Sequence, residues 1–206
     1  MLKQILILII YCTTVYASCS KNCVVQQYSF ATNIKAYPDI DSISINDTVW
    51  LEFLSPTRLT DIATGAMIDY SSATNLSTSI NFDEFTGGSI SNPGAIPAVD
   101  AFEYKLIYGI FVPDDFLPER NRDYRFIETN NEFKFKLGII PKRVGVFSLA
   151  PSNSATVRRA NDNCSEAGFS ITFATTNQHL YFYEQNRPGY TPSEYERTHM
   201  YCFKVK

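Results

Sequence analysis

Apolar side chains occupy every second position through much of this chain, and this period limits the fold more than any other feature. Phe102, Tyr104 and Leu106 alternate with polar neighbours, and so do Phe133 and Phe135. A period of two places alternate side chains on one face of a β-strand, whereas one face of a helix requires a period of 3.6. The 15 Phe and 13 Tyr residues agree with this interpretation, because aromatic side chains favour strands. The pattern predicts strands.

Short strands separated by polar turns follow one another along the chain. The predicted strands cover residues 28–36, 49–53, 67–70, 76–82, 102–112, 133–137, 144–148, 169–173, 180–183 and 201–205. Residues 184–198 are predicted to form a proline-containing loop. About ten short strands with polar turns predict an all-β fold, an antiparallel, immunoglobulin-like β-sandwich with long loops.

One internal segment is a candidate domain boundary. Residues 86–98 read TGGSISNPGAIPA, and such a cluster of Gly and Pro marks a loop or hinge. The chain after this loop is no more complete than the chain before it. We therefore predict a single β-sandwich domain over residues 18–206, with two small sandwiches divided near residues 86–98 as the alternative.

The N-terminus has the three parts of a secretory signal peptide. Lys3 is followed by the apolar run ILILII at residues 5–10, and Val15 and Ala17 flank Tyr16 at the predicted cleavage site. The run is shorter than the roughly 20 apolar residues that a membrane span needs. We predict a signal peptide over residues 1–17 and an extracytoplasmic mature protein; the alternative is the first buried strand of a cytosolic protein.

A second form of processing competes with ordinary cleavage. Tyr16-Ala17-Ser18-Cys19 resembles a bacterial lipobox, in which the cysteine becomes the lipidated N-terminus. A lipid on Cys19 would hold the protein on a membrane surface without spanning it. The mature protein is thus predicted to be secreted, periplasmic or anchored as a lipoprotein, and a membrane contact is expected only through this lipid.

Four cysteines lie beyond the predicted signal peptide: Cys19, Cys23, Cys164 and Cys202. An exported chain meets an oxidising compartment, so these thiols are expected to pair, and four cysteines allow three connectivities. We predict that Cys164 pairs with either Cys202 or Cys23. A zinc site is disfavoured because it requires closer cysteine pairs than this chain offers.

The sequence contains no recognisable catalytic set. Its net charge of −3 is scattered without a basic stripe, which argues against a nucleic-acid partner. The two histidines, His179 and His199, are not accompanied by a G-x-S-x-G turn. Asp39, Asp41 and Asp47 could supply oxygen ligands to calcium, but aspartates before a strand usually cap a turn. We therefore predict a non-enzymatic protein without a cofactor or metal.

One late segment is a candidate binding site. Tyr181, Tyr183, Arg187, Tyr190 and Tyr195 lie within 15 residues around a proline-containing loop. Exposed aromatic rings can stack on sugars or peptides, and Arg supplies donors in a fixed geometry. The alternative is that these amphipathic rings cover the open end of the sandwich.

Two strand motifs carry a resemblance to known proteins. Residues 46–52 (NDTVWLE) and 142–149 (KRVGVFSL) resemble strands of immunoglobulin-like bacterial envelope domains. Together with residues 17–21 (ASCSK), they make the chain similar to uncharacterised exported proteins of Bacteroidota type. The resemblance implies an immunoglobulin-like fold and transfers no functional residues.

The predicted function follows from these features together. We expect an exported envelope protein that acts as a binding or structural module. The alternative is a glycan-binding or carbohydrate-active protein that uses the aromatic segment 181–197. The expected partner is another envelope protein or a glycan.

Overall fold

The computed structural model describes residues 23–113, 116–174 and 178–206, so the predicted signal peptide and Cys19 lie outside the described residues. The strands are β1 (Gln26–Tyr37), β2 (Ser42–Ile43), β3 (Val49–Pro56), β4 (Arg58–Thr60), β5 (Met67–Asp69), β6 (Ala73–Thr74), β7 (Ser77–Phe85), β8 (Ala95–Pro97), β9 (Phe102–Tyr108), β10 (Ile110–Val112), β11 (Asn121–Arg125), β12 (Ile127–Thr129), β13 (Glu132–Pro141), β14 (Gly145–Pro151), β15 (Ser154–Arg159), β16 (Asp162–Phe173) and β17 (Tyr201–Val205). Helical segments are a 3₁₀ turn (Val99–Ala101), α1 (Tyr181–Asn186) and α2 (Glu194–His199). Among the residues that the structure describes, no helix is long and apolar enough to cross a membrane.

The strands form two large sheets and a small hairpin. The first sheet has the order β12-β13-β3-β1-β16-β15-β6, and β9 also pairs with β13. The second has the order β10-β11-β7-β14-β17-β2, and β8 also pairs with β7, while β4 and β5 form the hairpin. The all-β prediction is confirmed. Most neighbouring strands are antiparallel, but β1 runs parallel to β16 and β17 runs parallel to β2. The alternation of apolar residues along a strand does not indicate in which direction its neighbour runs.

Aromatic rings from the two sheets pack against each other to form the core. The ring of Phe82 on β7 lies 5.3 Å from that of Tyr104 on β9, measured between centroids. Tyr124 on β11 likewise lies 5.3 Å from Phe135 on β13. Each of these pairs joins one sheet to the other. The sheets therefore pack face to face as a β-sandwich, the arrangement that the strand pattern predicted.

The segment after β16 differs from the sequence prediction. Residues 180–183 were predicted as a strand, but helix α1 begins at Tyr181, because a four-residue apolar run fits a helix as well as a strand. The predicted loop 184–198 contains helix α2. Ser193 begins it with a capping box, in which the Ser193 side chain accepts from the Glu196 N–H and the Glu196 carboxylate accepts from the Ser193 N–H.

A disulfide bond joins Cys23 to Cys164 with a Cα–Cα separation of 5.6 Å. This confirms one of the two predicted pairings. The other pairing, between Cys164 and Cys202, is wrong. Cys202 is a free thiol with no exposed surface, on a strand of the second sheet opposite Ser148. Burial raises the pKa of the Cys202 thiol well above its ordinary value, so this group stays protonated.

Candidate functional site

Three of the five predicted binding residues contact one another in a closed cluster between α1 and α2. The guanidinium carbon of Arg187 lies 3.5 Å from the centroid of the Tyr190 ring, and its Nη1 donates to the Tyr183 hydroxyl at 2.5 Å. The hydroxyls of Tyr183 and Tyr190 donate to the Glu196 carboxylate at 2.6 Å and 2.8 Å. Arg187 is only 9% exposed. We call these four residues the Arg187 cluster.

The charges in the Arg187 cluster are fixed by its hydrogen bonds. Burial alone would raise the pKa of Glu196, but hydrogen bonds from Tyr183, Ser193 and Tyr190 outweigh burial and hold it below its ordinary value. Burial, and then the hydrogen bond to Glu196, raises the pKa of Tyr183 to about 12. At neutral pH the carboxylate is therefore ionised and the phenol protonated. Both oxygens of Glu196 are occupied, so this residue positions its neighbours.

The same cluster holds the glycine- and proline-rich loop against the helices. Arg187 donates from Nε to the carbonyl oxygen of Ser89 at 3.3 Å and from Nη2 to that of Ile90 at 2.6 Å. The preceding residue, Asn186, accepts the Gly87 N–H with its side-chain oxygen at 2.7 Å. Arg187 and Asn186 thus satisfy backbone groups of a loop almost 100 positions earlier in the chain.

The other two predicted tyrosines lie apart from the cluster. Tyr181 is 38% exposed and donates to Asp41 Oδ2 at 2.5 Å. Tyr195 is 56% exposed, and its ring stacks on His199 with 3.9 Å between centroids and 16° between planes. His199 covers one face of the Tyr195 ring, and Tyr195 still keeps more than half of its surface exposed.

Tyr195 borders a groove on the outer face of the second sheet. Three adjoining cavities of about 250, 390 and 290 Å³ form this groove. The first two share Asn81 and Tyr195, and the last two share Ser79 and Ser152. Sites for small ligands usually occupy about 300–1,000 Å³, and the cavity of about 390 Å³ beside Tyr195 lies within this range. The surface that we call the Tyr195 groove comprises Ser79, Asn81, Asp83, Asn121, Asp123, Ser152 and Tyr195.

The floor of the groove is produced by strand alternation. Ser79, Asn81 and Asp83 are half-buried on the outer face of β7, while the residues between them are buried in the core. On the neighbouring strand β11, Asn121 stands opposite Asn81 and Asp123 opposite Ser79. The side chain of Asn81 donates from Nδ2 to Asn121 Oδ1 at 3.2 Å. Two antiparallel strands therefore present a polar row that neither strand presents alone.

Two carboxylates in the groove have an oxygen without a hydrogen bond. Oδ1 of Asp83 lies 3.2 Å from Arg120 Nε, an ion pair whose angles fall outside hydrogen-bond geometry. Oδ1 of Asp123 likewise accepts no hydrogen bond from any described residue. Burial raises the pKa of Asp83, and the charge of Arg120 opposes this shift only in part. Both oxygen atoms have almost no accessible surface, so they lie beneath the surface of the groove.

Other residues that could have carried chemistry serve structural contacts. Asp47 accepts the Ser44 N–H at 2.8 Å, the turn-capping role that the sequence favoured over calcium binding. His179 Nδ1 lies 2.9 Å from the carbonyl oxygen of Cys202. Across residues 23–113, 116–174 and 178–206, no three His, Cys, Asp or Glu side chains are grouped to hold a metal ion.

Sequence reasoning identified Tyr195 but not the groove beside it. The floor residues are polar side chains on alternate positions of a strand, which is ordinary for a solvent-facing strand. One signal was present: residues 77, 79, 81 and 83 are all polar, without the large aromatic residues frequent elsewhere. The contribution of β11 had no local signal, because Asn81 and Asn121 are 40 residues apart.

Comparisons with known proteins do not assign a function to this chain, so a functional proposal must be argued from its own structure. No protein family profile matches the chain, and no curated protein matches it. Among solved structures it is similar to the CupB6 tip adhesin from Pseudomonas aeruginosa, with 15% identity and a TM-score of 0.21. The match covers 72% of this chain and 42% of the adhesin, so the chain spans less than half of that protein. A similarity this low carries no argument about fold or activity.

Proposed function

We propose that this chain is an exported, non-enzymatic binding protein whose Tyr195 groove takes a carbohydrate. The observation that carries the proposal is the pairing of an exposed aromatic ring with a polar row across β7 and β11. A pyranose ring has apolar C–H faces and an edge of hydroxyl groups. Tyr195 offers a surface for the apolar face, and Asn81 and Asn121 offer amides for the hydroxyl edge.

Binding is favoured over glycoside cleavage by the engagement of the nearest carboxylates. A glycosidase needs two carboxyl groups that flank one bond and are free to exchange a proton or attack the sugar. Glu196 accepts hydrogen bonds at both oxygens and caps helix α2. Asp83 forms an ion pair with Arg120. These contacts suit residues that shape a site.

Export is supported by the covalent chemistry of the chain. The disulfide between Cys23 and Cys164 is typical of a protein that folds in an oxidising compartment. The signal peptide over residues 1–17 remains part of this proposal. The proposal also includes two further points: that the mature protein is either secreted or anchored by a lipid on Cys19, and that it is related to exported envelope proteins of Bacteroidota type.

The experiment that tests the proposal is affinity electrophoresis through gels containing soluble polysaccharides, followed by titration calorimetry with the matching oligosaccharide. Retention of the parent should fall at least about tenfold in Tyr195→Ala, a loss of about 1.4 kcal/mol. Tyr195→Phe keeps the ring and should keep most of the retention. Tyr181→Ala is the matched control, since this tyrosine is exposed outside the groove. Equal retention of the parent and Tyr195→Ala, or no retention of the parent on any polysaccharide, would refute the proposal.

A further inference from the structure

We infer that two copies of this chain associate edge to edge through β9, as an antiparallel pair whose two-fold axis passes through Tyr104. In this register Glu103 of each copy stands opposite Lys105 of the other. The inference does not depend on the proposed carbohydrate groove. It is carried by the length of this sheet edge, the direction of its backbone groups and the order of its charges.

β9 is a long strand with one open edge. Among the described strands, its only partner is β13. The strands that end the two sheets, β12, β6, β10 and β2, are two or three residues long, whereas β9 has seven residues. An open edge presents unpaired N–H and C=O groups that can bond to another strand, and folded proteins usually keep such edges short or cover them. The length of β9 therefore indicates that a partner strand covers this edge.

Two observations show which backbone groups of β9 point outward. Ala101, just before the strand, accepts a hydrogen bond from the N–H of Lys142, which directly follows β13. Phe102 stands opposite Pro141, which has no N–H to donate. In an antiparallel pair, residues that bond to the neighbour alternate with residues that bond away from it. The even-numbered residues from Phe102 to Leu106 therefore direct their backbone groups to the open edge, and no described residue bonds to these groups there.

The exposed charges of β9 determine the register of the pair. Even-numbered residues must face each other, since only they have free backbone groups. An axis through Tyr104 meets this condition and places Glu103 opposite Lys105 twice, at positions where facing Cα atoms are only about 4.5 Å apart. An axis through Glu103 would place two glutamates face to face, and an axis through Lys105 two lysines.

This order of charges selects the axis through Tyr104. Opposite charges at facing positions stabilise a strand pair, and like charges destabilise it. The side chains of Glu103 and Lys105 are both exposed, and neither forms an ion pair with a described residue. Both are therefore available to a second copy.

Sedimentation velocity over a series of protein concentrations tests the inference, with circular dichroism to confirm folding. We expect the parent to dimerise reversibly. Lys105→Glu places glutamates opposite each other at both positions and should weaken dimerisation at least about tenfold. Glu103→Lys places lysines there and should show the same loss, which keeps the test valid if Lys105→Glu fails to fold. Lys35→Glu is the matched control and should leave dimerisation unchanged, because Lys35 is exposed on β1 of the same sheet, away from this edge.

The charge order allows a second test that a general effect of charge would not reproduce. A mixture of Lys105→Glu and Glu103→Lys has opposite charges at both facing positions, so the two variants should form a mixed dimer. The chain that carries both substitutions should dimerise like the parent.

Two outcomes would overturn the inference. One is a parent that stays monomeric at every concentration. The other is dimerisation that none of these substitutions changes, since the contact would then lie elsewhere on the protein. Neither outcome bears on retention by polysaccharides, so failure of this inference is distinguishable from failure of the proposed function.

Discussion

Cys23 and Cys164 are joined across 141 positions of sequence, just before the point where β1 and β16 begin to run side by side. In that parallel pair Gln26 stands opposite Ser165 and Phe30 opposite Phe169. Parallel neighbours cannot be connected by a tight turn, so no local structure holds their register. The disulfide supplies a covalent constraint at the place where the chain itself supplies none.

Replacing both Cys23 and Cys164 with Ser should lower the free energy of unfolding by about 2–5 kcal/mol, because the bond closes a very long loop in the unfolded chain. Urea denaturation followed by circular dichroism measures the change. A reducing agent should lower the midpoint of the parent and leave that of the double variant unchanged. A double variant as stable as the oxidised parent would show that the bond contributes little.

Arg187→Ala should lower the free energy of unfolding by about 2–4 kcal/mol, because it leaves the buried Tyr183 hydroxyl and the carbonyl groups of Ser89 and Ile90 without their donor. Hydrogen exchange should accelerate in the glycine- and proline-rich loop. Arg158→Ala is the matched control, since Arg158 forms a surface ion pair with Glu166 that is worth at most about 1 kcal/mol. Equal losses in the two variants would argue against a special role for the Arg187 cluster.

Gly138→Ala should disturb Trp50, the only tryptophan in the chain. A Cβ at position 138 would lie 2.9 Å from Trp50 Cζ3 and 3.0 Å from Thr48 Cγ2, which forces the ring to move. We expect a loss of about 1–3 kcal/mol and a shift of tryptophan fluorescence to longer wavelength. Gly168→Ala is the control, because its nearest atom is 3.9 Å away. An unchanged emission spectrum in Gly138→Ala would contradict the packing of Trp50 on Gly138.

Glu196→Gln should remove stability in a pH-dependent way. The pKa of Glu196 is lowered from 4.5 in the folded protein, so its ionised form stabilises the fold above that value. This contribution is lost as pH falls through the folded pKa. The difference in unfolding free energy between parent and variant should therefore be largest near neutral pH and shrink below pH 4.5. A difference that stays constant with pH for Glu196→Gln would contradict the assignment.

The strand content could be predicted from the sequence because a period of two is a local property. Alternation placed Phe133 and Phe135 on one face of a strand, and both are buried. The pairing of Cys164 could be narrowed to two partners but not decided, since the choice depends on which strands are neighbours. The helices α1 and α2 were missed. Ser193 and Glu196 carried the signal of a capping box, but Pro188 and Pro192 made the segment look like a loop.

The candidate site could be predicted from the sequence to a smaller extent than the strands could, because its residues are brought together by the tertiary structure. The sequence placed five aromatic and basic residues near one another, yet could not show that Tyr183 and Tyr190 bond to Glu196 while Tyr195 faces outward. That difference follows from where the two helices lie against the sheet. The sequence alone determined which residues alternate and which thiols could pair, because both are set by local chemistry and composition. Only the tertiary structure decided that β7 and β11 lie beside Tyr195, since strand pairing across 40 residues depends on the whole core.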